Sequence, residues 1–452
     1  MHRTDLQAQL AAIQHKLEQV KAKDTEFTEF GSSSHRYAMN PVLSKAELEQ
    51  WQREHKIILP EPYAEFLLTI GNGGAGPYYG VYSLSTATSY TEPPALSLPA
   101  ILRPRMPKAE WNQVIAPLIW DEDISDEQYE FTESQILGGM LCIGTQGCDY
   151  DMYLVLDGEY RGRVVYTNDF YEDAPFFFVY DLTFLDWYER WLDEIRLDYD
   201  RAWFGSRMPG DEQTLLHTYT HAADSDIQTD ALNALFKFKQ LSSEGLALLH
   251  QLVENDTVGQ HTVTHEHRLI AIRLICKSTP EQGKPYVIQL LTSDYADHLL
   301  QGLQIVHHSR ERWNTAEFAP IVVKQLDRIE QAEALRFAGY ILHEQPGVTL
   351  RHYEHVLRSS DEEIQLAALY ATRDCTDKLA DVGLIEQLLA DASPDMRHQM
   401  IMYWGILPHE RLLPYYATMW PEYRNHPAFR LKFIEALQQL GLPEDYFEGN
   451  DE

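Results

Sequence analysis

The chain has 452 residues, a formal net charge of −32, 44% apolar residues and four cysteines. That length exceeds one ordinary hydrophobic core and the apolar content excludes disorder, so we expect two or three packed domains. Apolar runs stay well below the roughly 18 residues of a membrane-spanning helix, and the scattered cysteines exclude a disulfide framework. The acidity disfavours binding to nucleic acid and to anionic membranes, so the charge indicates either a basic protein partner or simple solubility.

The first predicted elements are helices. Residues 1–39 form a predicted N-terminal helical extension, because apolar positions recur at helical spacing without the continuous apolar core of a signal peptide. Ser44 followed by Glu47 is a capping-box pattern and predicts a helix start. In "LPEPYAEFLLTIG" (59–71) the prolines suit a first turn, the apolar stripe has the helical period, and Gly71 takes the C-terminal cap position.

A glycine-rich segment follows this helix. "GNGGAGPYYG" (71–80) contains G-x-G-x-x-G, the spacing of dinucleotide-binding loops. In those loops a strand precedes the glycines and a helix follows, so that the helix N-terminus faces the phosphate. Here a predicted helix comes first and an aromatic, extended segment follows, so the polarity is reversed. We therefore predict that the glycines supply positive φ angles for a tight reversal and bind no nucleotide.

Four candidate strands come next. Asp157-Gly158 is a turn signal between the second strand and the third. The strands are predicted at residues 138–144, 150–156, 162–168 and 175–180. They favour an antiparallel sheet, which the Trp- and Tyr-rich helical pattern of residues 184–195 can cover. The first part of the chain is therefore predicted to be an α+β domain.

The pattern changes near residue 205, where "FGSRMPGDE" (204–212) indicates a boundary. Beyond it, helical patterns follow one another, and five segments share an apolar pair at their fifth and sixth places. These segments are 227–235, 267–275, 364–372, 396–404 and 429–437, of which the last three start 32 and 33 residues apart. Such a period predicts an all-α, HEAT-like solenoid over residues 211–448, with an irregular helical bundle as the alternative.

Residues 59–84 as a whole resemble the core motif of the SUKH superfamily, which includes fungal cell-wall assembly regulators and many bacterial toxin-immunity proteins. The family pattern is a Leu-Pro pair, an aromatic stripe, a Gly-Asn-Gly turn and a Gly before a strand. The matching residues are Leu59, Pro60, Tyr63, Phe66, Gly71, Asn72, Gly73 and Gly80. Residues 144–169 resemble the family's sheet and residues 184–194 its closing helix. The resemblance implies a SUKH-like α+β domain over residues 40–204, with residues 85–134 containing an insertion.

No catalytic constellation stands out in the sequence. His261 and His265 have the spacing of one helical turn, which would suit zinc, but no third ligand completes a shell and we favour a solvated face. Cys142 and Cys148 lie in strand-like context and are typical of buried thiols rather than nucleophiles. We therefore predict that the chain is not an enzyme and uses no cofactor and no metal.

Acidic residues interleaved with aromatics suggest a binding surface. They occur in "WDEDISDEQYEFTE" (120–133), in "CDYDMY" (148–153) and in "TNDFYEDA" (167–174). Interfaces favour aromatic anchors inside a polar rim, and massed carboxylates speed the encounter with a basic partner. The alternative is an ordinary solvated loop. The predicted partner-binding residues are Trp120, Asp121, Glu122, Asp123, Asp126, Glu127, Tyr129, Asp149, Tyr150, Asp151, Asp169, Glu172 and Asp173.

The resemblance, the acidity and the missing catalytic set together predict a cytoplasmic immunity protein. It would neutralise a cognate bacterial toxin, basic and possibly a nuclease, by stoichiometric binding. The alternative is a non-catalytic regulatory scaffold that binds a cellular protein through the solenoid. A metal-dependent enzyme that uses His261 and His265 is the third hypothesis, which stoichiometric zinc would revive.

Overall fold

A computed structural model describes residues 3–91, 93–119, 124–168, 175–259, 261–343, 345–375 and 377–448. The chain folds into two compact units, the first comprising Met1–Gly245 and Val258–His261, the second Leu246–Thr257 and Thr262–Glu452. The first unit therefore continues past the change of pattern near residue 205. In the described ranges, no helix combines the length and the apolarity needed to cross a bilayer.

The first unit carries the sheet. Its helices are α1 (Arg3–Lys23), α2 (Ser32–His35), α3 (Lys45–His55), α4 (Glu61–Thr69), α5 (Leu84–Ser89), α6 (Pro93–Leu96), α7 (Lys108–Ile119), α8 (Asp126–Ile136), α9 (Phe184–Arg196), α10 (Glu212–His221) and α11 (Ser225–Ala234). Its strands are β1 (Met140–Gly147), β2 (Tyr150–Val155), β3 (Val164–Asn168) and β4 (Phe177–Phe178). They form an antiparallel sheet in the order β1-β2-β3-β4, which confirms the predicted antiparallel sheet with packed helices.

The sheet is covered on both faces, because alternate side chains of each strand point in opposite directions. On the first face, strand residues share one core with side chains of α1, α4 and α9; the strand residues are Leu141, Ile143, Met152, Leu154, Val164 and Tyr166. On the second face, a separate core includes Trp111 of α7 and Ile136 of α8; its strand residues are Met140, Cys142, Tyr153, Val155, Val165 and Phe178. The long stretch between motif and sheet thus supplies the cover of the second face.

The N-terminal extension packs into the first unit. Leu10 and Ile13 of α1 are fully buried in the first-face core. Lys16 of the same helix forms ion pairs with Glu189 at 2.7 Å and Asp193 at 2.6 Å, both on α9. Helix α1 is therefore an integral layer over the closing helix.

A buried ionic cluster joins α9 to the segments on either side of it. Arg190 pairs with Asp181 at 2.6 Å and with Glu194 at 3.3 Å, and its guanidinium lies 4.6 Å from the ring centre of Phe204. Lys237, only 1% exposed, places its Nζ 3.9 Å from Glu194, and burial lowers the pKa of this ammonium to about 8. These contacts explain why the first unit extends beyond residue 205.

The rest of the chain is largely helical. Its elements are α12 (Ser243–Glu254), β5 (Thr257–Val258), β6 (His261–Thr262), α13 (His265–Ser278), α14 (Pro280–Leu291), α15 (Ala296–His308), α16 (Ala319–Val323), α17 (Ala332–Leu342), α18 (Glu354–Leu357), α19 (Glu362–Thr372), α20 (Val382–Asp391), α21 (Pro394–Trp404), α22 (Leu413–Tyr423) and α23 (Pro427–Gln439). Alternate helices stack in series, α13 on α15, α15 on α17, α17 on α19 and α19 on α21.

The five segments that share an apolar pair lie in helical structure, and all five pairs are buried. These pairs are Ala231-Leu232, Ala271-Ile272, Ala368-Leu369, Met400-Ile401 and Phe433-Ile434. The first segment belongs to the first unit and the other four to the second. The shared apolar pair therefore identifies buried helix faces, whereas a HEAT-like solenoid stays a prediction.

Candidate functional site

In the glycine-rich segment 71–80, which we call the glycine crossing, the backbone passes close to two other stretches of backbone. Gly74 pairs with Val81 through two 2.8 Å hydrogen bonds, and it also bridges to Met39. Gly80 has φ of +99°, and a Cβ there would lie 2.4 Å from the carbonyl oxygen of Gly74. The amides of residues 71–75 and of Gly80 all donate to carbonyl oxygens within the fold. Helix α4 precedes the glycines and turns its C-terminal, negative end toward them, an arrangement opposite to a phosphate cradle.

The individual glycines serve different purposes. Gly73 and Gly74 have positive φ angles of 75° and 120°, as the predicted reversal requires. Gly71 follows the cap of α4, as predicted, but its φ is not positive. It must be small for another reason: a Cβ there would lie 2.8 Å from the carbonyl oxygen of Asn40. Asn72 accepts a 2.8 Å hydrogen bond from the amide of Leu84 and so ties the crossing to α5.

The remaining motif residues form the core beneath this crossing. Leu59 and Pro60 are buried at the start of α4, where Pro60 is the N-cap. Tyr63 and Phe66 pack edge-on against Phe184 of α9, with ring centres 4.8 and 5.0 Å apart. The structural motif therefore positions the sheet against the closing helix.

A cavity of about 220 Å³ opens on the second face of the sheet. The side chains of Asp151 and Tyr153 reach it from β2, and Thr167, which pairs with Asp151 in the β-ladder, reaches it from β3. The described lining residues are Tyr90, Thr91, Ala95, Glu133, Ser134, Leu137, Asp151, Tyr153, Thr167, Asn168 and Phe176. Hydroxyls and two carboxylates thus surround an otherwise apolar floor.

Hydrogen bonds hold the wall of the cavity in place. The hydroxyl of Thr91 donates to the carbonyl oxygen of Ala87 at 2.8 Å and accepts from the amide of Cys142 at 2.9 Å. This pair of bonds fixes the end of α5 to β1. Tyr90 stacks on Tyr82, with ring centres 5.1 Å apart and planes 19° from parallel.

Asp151 is the unusual charge of this cavity. It is half-buried, and loss of hydration raises the pKa of its carboxyl; the neighbouring charge of Asp149 raises it further, while the Thr145 hydroxyl opposes both. Among the described residues, no Lys, Arg or His forms an ion pair with Asp151, and none lines the cavity. A half-buried carboxylate therefore faces open space without a counter-ion from the described part of the chain.

Two of the predicted partner-binding residues stand beside Asp151. Asp149 lies in the turn between β1 and β2, where Cys148 and Asp149 adopt positive φ angles of 50° and 65°, and Tyr150 is the first residue of β2. Asp149 is exposed, and Tyr150 is 37% exposed. The turn therefore presents an acid and an aromatic ring at the same end of β2 as the cavity.

Helix α8 carries a second group of predicted residues. Ser125 and Gln128 form a capping box, so residues 126–133 are helical and the alternative of a loop is wrong for them. Asp126 and Glu127 are exposed in the first turn, and Tyr129 is 36% exposed. Glu133, farther along α8, lines the cavity.

The other seven predicted partner-binding residues lie outside the described residues. They are Trp120, Asp121, Glu122, Asp123, Asp169, Glu172 and Asp173.

Sequence reasoning missed most of the cavity. Tyr90, Thr91 and Ala95 come from the stretch between motif and sheet, for which no strand or helix was predicted. One signal was present: the period of two in β2 places Asp151 on the same face as buried Tyr153 and Val155. An acidic residue on a buried strand face indicates a candidate functional site.

The two histidines with zinc-like spacing, His261 and His265, lie in different elements. His261 is in β6 and bonds the carbonyl oxygen of Thr220 at 2.9 Å, whereas His265 starts α13 and stacks on His298, so the two do not share one helix turn. Within the described ranges, no group of three or more His, Cys, Asp or Glu side chains is placed to hold a metal ion. Burial raises the pKa of the Cys142 thiol to about 12, which makes it a poor nucleophile. Cys148 is exposed rather than buried.

Comparison with protein families gives one match. Residues 42–190 match the model of the SMI1/KNR4 family (SUKH-1). The matched range contains the glycine crossing, the sheet, the cavity and most of α9, which supports the SUKH resemblance of the first unit. Neither the curated proteins nor the solved structures give a match to this chain.

Proposed function

We propose that the protein is a cytoplasmic immunity protein that neutralises a cognate, basic bacterial toxin by stoichiometric binding. The family is consistent with an immunity protein or a cell-wall regulator, and both are roles of protein binding. The observation that carries the proposal is the acidic end of the second sheet face. There, Asp151 of β2 and Glu133 of α8 line the cavity. The adjoining β1–β2 turn carries exposed Asp149, and the first turn of α8 carries further exposed acids.

Charge explains how such a surface would act. A net charge of −32 gives a field that attracts a basic partner over a Debye length and raises the association rate. Exposed aromatic rings such as Tyr150 then supply apolar contact area inside a polar rim. Binding alone would neutralise the toxin if it covers the active site or the substrate groove.

The test begins with the toxin encoded beside this protein. The two proteins are co-purified, and cells that express the toxin are scored for survival. We expect a one-to-one complex and protected cells. If no complex forms and no cell is protected, the immunity proposal is wrong.

A matched pair of variants tests the surface. Glu127 lies in the first turn of α8 and Asp395 in the first turn of α21, and both are exposed. Changing either acid to Lys reverses one charge at a helix N-terminus, so both variants carry the same local penalty. We expect Glu127→Lys to slow association with the toxin, with the difference shrinking in high salt, and Asp395→Lys to leave association unchanged. Equal rates for the two variants would contradict the placement of the interface.

A second candidate is a regulatory scaffold, which a different observation favours. In the second unit an aromatic ladder crosses α15, α17, α19 and α21; it consists of His307, Tyr340, Tyr370 and Tyr403. Successive ring centres lie 4.7, 5.9 and 6.1 Å apart, and the guanidinium of Arg373 lies 4.4 Å from the Tyr370 centre. Tyr and Arg are among the residues enriched in binding hot spots.

The two candidates separate experimentally. A scaffold would capture housekeeping proteins from cells that lack any toxin, and Tyr370→Ala would abolish that capture. An immunity protein would bind the toxin with Tyr370→Ala as well as with the unchanged ladder.

A further inference from the structure

We propose that the cavity on the second sheet face receives the cationic side chain of a lysine or arginine from the protein partner, with Asp151 as its counter-ion. This inference rests on the proposed function, since it names the group of the partner that the acidic surface recognises. The cavity, rather than the exposed acids around it, is the feature that carries the inference.

The polar groups of the cavity call for a donor. The carboxylate of Asp151 reaches the open space without a cationic partner from the described residues. A half-buried carboxylate without a counter-ion is costly. A ligand that brings several N–H donors would supply the cationic partner that Asp151 lacks in the described part of the chain.

The apolar part of the lining suits the stem of such a side chain. Ala95, Leu137 and Phe176 contribute apolar surface beside the polar groups. Lys and Arg bury their methylene stems along apolar surface while the charged head group seeks acceptors. The rings of Tyr90 and Tyr153 also line the cavity, and a cation is attracted to the electron-rich face of such a ring.

Other ligand classes fit less well. An anion would meet the carboxylates of Asp151 and Glu133 and find no Lys, Arg or His among the described lining residues. A zinc or calcium ion would need at least three protein ligands gathered within coordination distance, and the described residues offer no such group. A volume of about 220 Å³ is below the usual range of sites for drug-sized ligands, about 300–1,000 Å³, and suits one side chain.

The direct experiment uses three capped peptides with the full chain. Ac-Gly-Arg-Gly-NH₂ and Ac-Gly-Lys-Gly-NH₂ carry the proposed group, and Ac-Gly-Gln-Gly-NH₂ is the neutral control. Saturation-transfer NMR is expected to label the side-chain methylenes of the two cationic peptides. Asp151→Asn should weaken their binding about tenfold, the effect of losing one charge-assisted hydrogen bond, and Asp395→Asn, exposed in the first turn of α21, should leave it unchanged.

Three results would overturn the inference. The first is equal labelling of the neutral peptide, and the second is unchanged binding by Asp151→Asn. The third is tighter binding of free argininamide or spermidine than of the peptides, which would assign the cavity to a small cation. Asp151→Glu, which keeps the charge, should retain binding and so separates loss of the counter-ion from misfolding.

The toxin complex separates this inference from the proposed function. If the unchanged protein binds the toxin and Asp151→Asn binds it equally well, the cavity does not receive a partner side chain although the immunity proposal stands. If no complex forms while the peptides bind in an Asp151-dependent way, the immunity proposal fails and the cation site stands.

Discussion

The two faces of the sheet treat buried charge in opposite ways. Near the first face, Arg190, Asp181, Glu194 and Lys237 are almost fully buried, and each of them has a partner of opposite charge. On the second face, Asp151 is half-buried and has none among the described residues. Because a buried charge is costly unless it is paired, the first arrangement is a structural joint and the second is a site that a ligand can complete.

The largest expected effect comes from breaking the joint. Arg190→Met would leave the carboxylates of Asp181 and Glu194 buried without their main partner, so we expect a loss of about 3–5 kcal/mol in the free energy of unfolding. The measurement is urea denaturation followed by tryptophan fluorescence. The matched control is Arg196→Met, which breaks a 2.7 Å pair with Asp193 at a 37% exposed side chain and should cost less than about 1 kcal/mol. Similar losses would show that the buried cluster is no stronger than a surface pair.

The glycine crossing gives the next largest effect and tests whether the first face depends on it. Gly80→Ala places a Cβ against the backbone of Gly74 at a φ of +99°, so we expect a loss of about 3 kcal/mol or more. Gly158→Ala is the control, because Gly158 has a similar positive φ of +77° with nothing within 4 Å of the added Cβ. It should cost about 1 kcal/mol, the strain of the left-handed backbone alone. Urea midpoints of the two variants decide, and equal losses would remove the close approach as the reason for glycine.

A histidine packed beside the first-face core supplies a pH-dependent test. Burial lowers the pKa of His35 to about 4, against the opposing effects of a Gly76 backbone hydrogen bond and the Asp24 charge. His35 is therefore neutral in the folded protein, and its Nδ1 accepts from the amide of Tyr37 at 3.0 Å. The unfolded chain takes up the proton near pH 6.5, so the stability from this group is complete above that pH and is lost as the pH falls toward 4.

His35→Asn removes this titration and keeps an acceptor near the Tyr37 amide. Between pH 7 and pH 4.5 the unchanged protein should lose roughly 2 kcal/mol more than the variant, after allowance for partial exposure of the ring. Parallel urea titrations at the two pH values measure this difference. Identical pH profiles would mean that His35 already carries its proton in the folded state.

The sequence predicted the first face well because local patterns encode it. The Ser44–Glu47 capping box, the stripe of Tyr63 and Phe66, and the helix of residues 184–195 all depend on neighbours close in the chain. The helix of residues 126–133 was missed, although its own capping box at Ser125 and Gln128 could have indicated it.

The cavity was not predictable in the same way. Tyr90 and Asp151 are 61 residues apart in the chain and line one space only because α5 is bonded to β1 through Thr91. Alternation along β2 indicates which face Asp151 occupies, but not that the covering helices leave room above it. Packing of distant segments determines that room, and no local pattern in the sequence reports it.

The smallest expected effect tests the contrast in buried charge between the two sheet faces. Loss of hydration raises the pKa of Asp151, so its ionised form is disfavoured in the folded protein. Above the raised pKa that penalty is complete, and it disappears as the pH falls through the folded pKa to about 3.8, the ordinary value. Asp151→Asn should therefore be more stable than the unchanged protein at pH 7, by a few tenths to about 1 kcal/mol, with the gain vanishing near pH 4.

The control for this variant is Asp126→Asn, which removes an exposed acid from the first turn of α8 and should cost a few tenths of a kcal/mol instead. Urea midpoints at pH 7 and pH 4 measure both variants. Opposite signs for the two substitutions would indicate that Asp151 is held at a cost to stability, as a residue retained for binding would be. If Asp151→Asn is instead less stable at pH 7, the carboxylate supports the fold, and the two sheet faces do not differ in the way proposed.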